Sequence, residues 1–206
     1  MIKGLLMLMC TGFISVNTMA QQISLPAPKK DSKMTLMESL EKRKSVREFS
    51  DKQISDQTMS DLLWAACGVN RPEDKKLTVP SAMNRQDVEL FVCRQDGAFR
   101  YDAFNNTLTR VTDKDLRPMM AGRQTATAEV PAVLVLVSDK KKFEMIDRDF
   151  CDLDAGYVSQ NICLACTALG LATVPRAGMP RNEIKKALGL TDTYDVIVNH
   201  PVGYPK

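Results

Sequence analysis

Val88-Glu89-Leu90-Phe91-Val92-Cys93-Arg94, then Gln95-Asp96-Gly97-Ala98, then Phe99-Arg100-Tyr101-Asp102 is the stretch on which the fold class turns. Two runs rich in apolar and aromatic residues flank Asp96-Gly97, the dipeptide best suited to the positive φ angles of a tight hairpin. Leu108 to Val111 can extend the pair into a meander, so antiparallel sheet is expected here. Further on, Pro131 introduces Ala132 to Val137, apolar at every position and rich in β-branched residues, as a strand buried on both faces would be.

Helices are expected on either side. Thr35-Leu36-Met37-Glu38 is a capping box opening a first helix that ends in Glu41-Lys42-Arg43-Lys44. Ser55 can cap a second, whose Met59, Leu62, Leu63 and Ala66 fall at i, i+3, i+4, i+7 before Gly68. Another is expected after Thr112, and another from Pro180 to Leu188, leading to a last strand at Asp195 to Val198. Leu153 to Leu169, closed by Gly170, is apolar on nearly every face and must be covered all round, by its own chain or by another subunit. Helices and strands interleave without a regular strand-helix-strand alternation, which makes the chain α+β. No glycine spacing of a P-loop or dinucleotide fingerprint is present.

The 206 residues, 44% hydrophobic and 26% charged, describe one globular domain able to bury roughly 70% of its unfolded surface without a metal or disulfide. A net charge of +3, with no dense basic block interleaved with aromatics, argues against nucleic acid. Residues 1–20 combine Lys3, a short apolar run and the ending Thr18-Met19-Ala20, the pattern of a secretory signal peptide. Export, to the periplasm, is expected; Asn17 and Thr18 cut the run short of a membrane span, and Cys10 is the alternative, a lipid-attachment cysteine. Residues 21–33, with Pro26, Pro28 and three Lys, read as a flexible tether, and the domain as 34–206. Five cysteines remain, an odd number without regular spacing, better read as buried small hydrophobes than as a disulfide framework. Cys163-Leu164-Ala165-Cys166 is read as core packing, and with His200 the sole histidine a metal-dependent hydrolase has no ligand spacing to use.

Three polar clusters can carry chemistry. Arg43-Lys44-Ser45-Val46-Arg47 alternates cations with a hydroxyl at a helix end, which suits a phosphate as well as a plain solvated terminus. Pro80-Ser81-Ala82-Met83-Asn84-Arg85-Gln86 pairs small side chains with amides, which suits a heterocycle bearing imide groups as well as an ordinary loop. Val174-Pro175-Arg176-Ala177-Gly178-Met179-Pro180 exposes backbone N–H groups before a helix.

In order and spacing these clusters resemble the nitroreductase family of FMN-dependent oxidoreductases. Arg43 to Phe49 is similar to the family's Arg-Arg-Ser-x-Arg-x-Phe motif, and Pro80 to Gln86 to its Pro-Ser-x-x-Asn-x-Gln loop. Asp154-Ala155-Gly156 through Leu171 resembles its long core helix, and Val202-Gly203-Tyr204-Pro205 its closing strand. Leu63 to Gly68, with Gly97 to Asp102 and Leu108 to Val111, leans toward the branch that includes azoline and thiazole/oxazole dehydrogenases, although their Lys-Tyr pair is not recognisable here.

The resemblance implies a mostly antiparallel central sheet flanked by helices, a homodimer with the apolar helix at its core, FMN at the subunit interface and ping-pong two-electron transfer. The donor would be NAD(P)H or an unknown reductant, and the acceptor a nitroaromatic, a quinone or a similar electrophile. An exported electron relay or sensor is the alternative. By position, Arg43, Lys44, Ser45 and Arg47 would hold the phosphate, the ribityl chain and the N1–O2 edge of the ring. Pro80, Ser81, Ala82, Met83 and Asn84 would line the ring from the other subunit, and the backbone at Ala177 and Gly178 would face N5. Gln124 would also reach the flavin. Many relatives carry a basic tail over the phosphate; here Lys206 either does that work alone or does not do it, and Ala177 stands where several relatives have a Glu. The flavin carries the chemistry, with no obligatory protein acid or base.

Overall fold

The computed structural model describes residues 21–122, 124–145 and 150–206; the expected signal peptide at 1–20 lies outside the described residues. Among the described residues seven strands form one sheet, in the order β1 (Gln22–Ser24), β6 (Thr107–Thr112), β5 (Gly97–Asp102), β4 (Val88–Arg94), β7 (Ala132–Asp139), β9 (Tyr194–Gly203), β8 (Ala172–Thr173). Every neighbouring pair is antiparallel. A short ribbon, β2 (Val69–Arg71) with β3 (Lys76–Leu77), stands apart. The helices are α1 (Leu36–Lys42), α2 (Asp56–Cys67), α3 (Arg117–Ala121), α4 (Cys151–Ala168) and α5 (Arg181–Ala187). This is the expected α+β architecture, a central antiparallel sheet flanked by helices. No helix among the described residues is long and apolar enough to cross a membrane.

The hairpin forms where Asp96-Gly97 predicts it, with Val92 opposite Phe99 and Cys93 opposite Ala98. Gly97 has φ +138°, and a Cβ there would lie 2.3 Å from the Thr112 carbonyl oxygen, so the turn has room for glycine alone. β7 is central, and period-2 geometry sends its side chains to two separate cores. Ala132, Leu134 and Leu136 join Leu62, Leu63, Val158 and Ile162 of α2 and α4. Val133, Val135 and Val137 join Met120, Ile184 and Leu188 on the side of α3 and α5. Helices on both faces explain why the run needs no polar alternation. The register of β9 slips between Leu136 and Val137, so that Val198 and Val196, two apart in sequence, pack into different cores.

Residues 21–33 are not the tether that their prolines and lysines suggest. Gln22–Ser24 pairs with β6 as an edge strand, and Leu25 is buried. Ser60 Oγ donates to Pro26 O at 2.5 Å, Gln57 Nε2 to Ala27 O at 3.0 Å, and Lys29 N to Asp61 Oδ1 at 2.7 Å. The open edge of β6 supplies unpaired backbone groups that a short strand can satisfy, and Ile23 and Leu25, two apart, anchor the strap that follows over α2.

α4 is half covered within the chain. Its Val158, Ile162 and Cys166 are buried against α2 and the sheet, whereas Leu153 and Tyr157 are 47% and 41% exposed. Leu36, Met37 and Leu40 of α1, which packs on α4, are exposed as well. The chain thus leaves part of the apolar surface uncovered, as it would if another subunit were to cover it.

Candidate functional site

The first cluster follows α1. Thr35 and Glu38 close the capping box in both directions, and Arg43 ends the helix with its N–H on Ser39 O. Residues 43–48 then run without regular structure, pinned by Val46 N to Thr173 O at 3.0 Å and by the bridge between Phe49 and Pro205. Arg43 is half-buried, close enough to α4 that its charge counters the rise burial imposes on the Cys163 thiol; Lys44, Ser45 and Arg47 are exposed. None of these four side chains has a hydrogen-bond or ion-pair partner among the described residues. Lys206 lies beside them, its N–H 3.4 Å from Glu48 O. Three cations and a hydroxyl on backbone held from both sides, none used internally, fit an anion such as a phosphate.

The second cluster is an unusual loop. Met83, Asn84 and Gln86 have φ of 50°, 53° and 49°, three non-glycine residues in the left-handed region. Ser81 holds the turn, accepting Asn84 N on its carbonyl at 3.0 Å and Gln86 N on its hydroxyl at 2.8 Å. Ala82 N donates to the Asp154 carboxylate at the start of α4. Pro80, Met83 and Asn84 face solvent, Met83 at 58% exposure.

The third cluster meets Gln124. A cleft of about 450 Å³ is lined by Gly122, Gln124, Arg176, Gly178, Met179 and Pro180, so residues more than fifty positions apart share one wall. Arg176 brings them together. Its buried guanidinium donates to Ala121 O at 2.5 Å, Met120 O at 3.2 Å and Thr127 Oγ1 at 3.0 Å, while its backbone pairs with Asn199. Ala177 and Gly178 are exposed, and neither N–H has an acceptor among the described residues. A Cβ at Gly178 would meet nothing within 4 Å. None of the residues 80–84 lines this cleft; Pro80 and Ser81 line a separate small cavity with Asp154.

Several residues are legible in the structure and not in the sequence. Arg176 gives no sign of its clamp, because its acceptors, two carbonyls at a helix end and the Thr127 hydroxyl, lie far from it in the chain. His200 is fully buried on β9, between Ser159 Oγ at 2.8 Å from Nε2 and Thr173 Oγ1 at 3.3 Å from Nδ1, and burial lowers it to about 3. Cys67, Cys93, Cys163 and Cys166 are buried thiols, as the core reading expects, and burial pushes Cys67 and Cys93 up to about 12.

The sheet order, the flanking helices and the three clusters together define an α+β oxidoreductase scaffold. The chain belongs to the nitroreductase family, whose model matches residues 40–204. It is 30% identical over 181 residues to a Methanocaldococcus jannaschii protein named as a nitroreductase, covering 82% of this chain and 90% of that one. An Archaeoglobus fulgidus protein named as an NADH dehydrogenase/NAD(P)H nitroreductase is 28% identical over 171 residues, 80% of this chain and 82% of its own. The crystal structure of a Ralstonia eutropha protein described as a nitroreductase superposes with a TM-score of 0.81 at 29% identity, covering 100% of this chain and 97% of that one. A chain of the Escherichia coli microcin synthetase McbBCD complex shares the fold, with a TM-score of 0.70 at 18% identity over 89% of this chain and 79% of its own.

Proposed function

We propose that this protein is an FMN-dependent oxidoreductase that passes two electrons, by a ping-pong cycle, from NAD(P)H or another reductant to a nitroaromatic, a quinone or a similar electrophile. The observation that carries the reading is the unspent cluster of cations and a hydroxyl, Arg43, Lys44, Ser45 and Arg47, joined by Lys206, in a chain whose Ala177 and Gly178 leave two N–H groups free, Gly178 on an open cleft. When bound, FMN would supply hydride acceptance and release at its ring. The protein's part is to bind and orient. The guanidinium groups and Ser45 would grip the phosphate and ribityl chain, and a cation at the N1–O2 edge would favour the negative charge the ring takes up on reduction. The N–H groups of Ala177 and Gly178 would present donors to the ring edge, with Gln124 beside them.

Loop 80–84 would reach the ring from a second subunit. Its separation from the Gly178 cleft within one chain supports this, as do the uncovered Leu36, Met37, Leu40, Leu153 and Tyr157. With residues 1–20 acting as a signal peptide, the homodimer would work in the periplasm, where an electron donor other than free NAD(P)H is required if none is supplied. The test is an absorbance spectrum of the protein purified with FMN present. Bands near ~370 and ~450 nm that bleach under anaerobic NADH or NADPH are expected. Bands that persist would move the donor to another reductant, and absence of flavin uptake would overturn the reading.

A further inference from the structure

His200 is fully buried on β9, and nothing in the flavin reading uses it. It lies opposite Leu134 of β7, on the sheet face that packs under α2 and α4. Thr173 of β8 is its diagonal neighbour on that face, because Thr173 pairs with Val202, two residues on from His200. The ring therefore has α4 on one side and the edge strand on the other: Nε2 is 2.8 Å from Ser159 Oγ, and Nδ1 is 3.3 Å from Thr173 Oγ1. Burial lowers its pKa to about 3, so the ring is neutral, with one N–H and one lone pair, and the two hydroxyls use both. The shorter contact suits a hydroxyl donating from Ser159 to Nε2, and the longer one an N–H donating from Nδ1 to Thr173.

What Thr173 holds in turn is the segment with the unspent cations. Arg43 N ends α1 on Ser39 O, and Glu48 O takes Lys206 N at 3.4 Å. Between them the backbone has one anchor among the described residues, Val46 N on Thr173 O at 3.0 Å, and it falls in the middle of the cluster. The acceptor stands in a strand of two residues at the sheet edge, paired with β9 alone through Ala172 with Gly203 and Thr173 with Val202. So short a strand is weakly held by its own ladder. His200 adds a side-chain tie from Thr173 to β9 and, through Ser159, to α4.

We propose that His200 is a positioning residue for anion binding: its Nδ1 fixes Thr173, Thr173 fixes Val46, and Val46 sets where Lys44, Ser45 and Arg47 leave the backbone beside Arg43. That the anion is the phosphate of FMN rests on the proposed function; the route from His200 to Val46 does not. A histidine that only filled the core would need neither nitrogen in particular, whereas this role belongs to Nδ1.

Two substitutions separate the nitrogens. In His200→Asn the amide falls where Nδ1 stands and can keep Thr173; in His200→Gln it falls where Nε2 stands and can keep Ser159 alone. Thr173→Val removes the hydroxyl and keeps the β-branched shape, so it tests the same route without touching the histidine. The readout on the apoprotein is amide exchange at Val46, compared with Val92 of β4, which reports opening of the whole sheet. Protection of Val46 relative to Val92 is expected to fall about tenfold in His200→Gln and Thr173→Val and to stay within about twofold of wild type in His200→Asn. Equal losses at Val46 and Val92 in His200→Gln, wild-type protection of Val46 in Thr173→Val, or a loss in His200→Asn as large as in His200→Gln overturns the positioning role. Fluorescence titration is then expected to show FMN bound about tenfold more weakly by His200→Gln and Thr173→Val, and within about twofold of wild type by His200→Asn. Wild-type FMN affinity in variants that have lost Val46 protection overturns the role in anion binding. Val46 protection that follows the expected order in a protein that takes up no FMN leaves the route from His200 to Val46 standing and overturns the flavin reading.

Discussion

Arg176 Nη2 donates to the carbonyl oxygen of Ala121 at 2.5 Å, joining the segment before α5 to the C-terminus of α3. The contact is buried, the guanidinium has no carboxylate partner among the described residues, and burial lowers its pKa. Its compensation is the negative end of a short helix, whose last carbonyls lack partners within the helix. Past Ala121 the chain turns at Gly122, φ +53°, and reaches Gln124, so the Arg176 clamp sets the distance between Gln124 and Gly178.

Removing that clamp should therefore be costly at a distance. Arg176→Ala leaves the Met120 carbonyl and the Thr127 hydroxyl without the guanidinium and the Ala121 carbonyl with the Gln124 N–H alone, and is expected to lower stability by roughly 2–4 kcal/mol. Arg176→Lys, which keeps the charge without the planar fork, should recover less than half. Urea unfolding measures both; a wild-type midpoint for Arg176→Ala would remove the clamp from the account.

Residues 21–33 offer a contest between two readings. A tether could be removed without effect, whereas a strand and strap that bury Leu25 and part of Ile23 should cost about 2–4 kcal/mol when deleted. The measurement is the urea midpoint of a chain beginning at Met34 against one beginning at Gln21.

Arg43→Ala and Ser45→Ala are expected to weaken FMN retention, roughly tenfold or more for Arg43, since each removes a donor that no internal partner occupies. Lys206→Ala should have a smaller effect, because its contact with the first cluster is a backbone bond at 3.4 Å and its side chain is exposed. Fluorescence titration with FMN checks the order; wild-type affinity in both Arg43→Ala and Ser45→Ala would unseat the phosphate assignment.

Acid should act through His200. Burial lowers its pKa from 6.5 to about 3, so the native ring is neutral while the unfolded ring takes a proton. The stability this confers is complete above about pH 6.5 and is lost as pH falls toward 3, at up to ~1.4 kcal/mol per pH unit. Asp154 works the other way: raised from 3.8 to about 7, it adds stability at low pH that is lost as pH rises through 7. The two windows overlap, so the informative quantity is the slope of unfolding free energy against pH in His200→Gln relative to wild type between pH 6 and 4. A flatter acid limb is expected in the variant, and an identical slope would show that His200 titrates alike folded and unfolded.

Much of the fold was written in local chemistry. The capping residues Thr35 and Ser55, the Asp96-Gly97 turn and the all-apolar run 132–137 each act within a few positions along the chain, so helices, hairpin and central strand stand where those signals put them. The clusters at 43–47, 80–86 and 174–180 were equally visible, because their motifs are contiguous.

What stayed hidden depends on neighbours that are distant in the chain. Gln22–Ser24 becomes a strand because β6 has an open edge, and Arg176 becomes a clamp because α3 ends beside it. Asp154 becomes an anchor for the loop because the start of α4 lies against Ala82. Capping, turn type and periodicity are properties of adjacent residues and survive in one dimension. Desolvation and orphaned carbonyls arise when separate segments exclude water from a common space, and the folded chain alone creates that space.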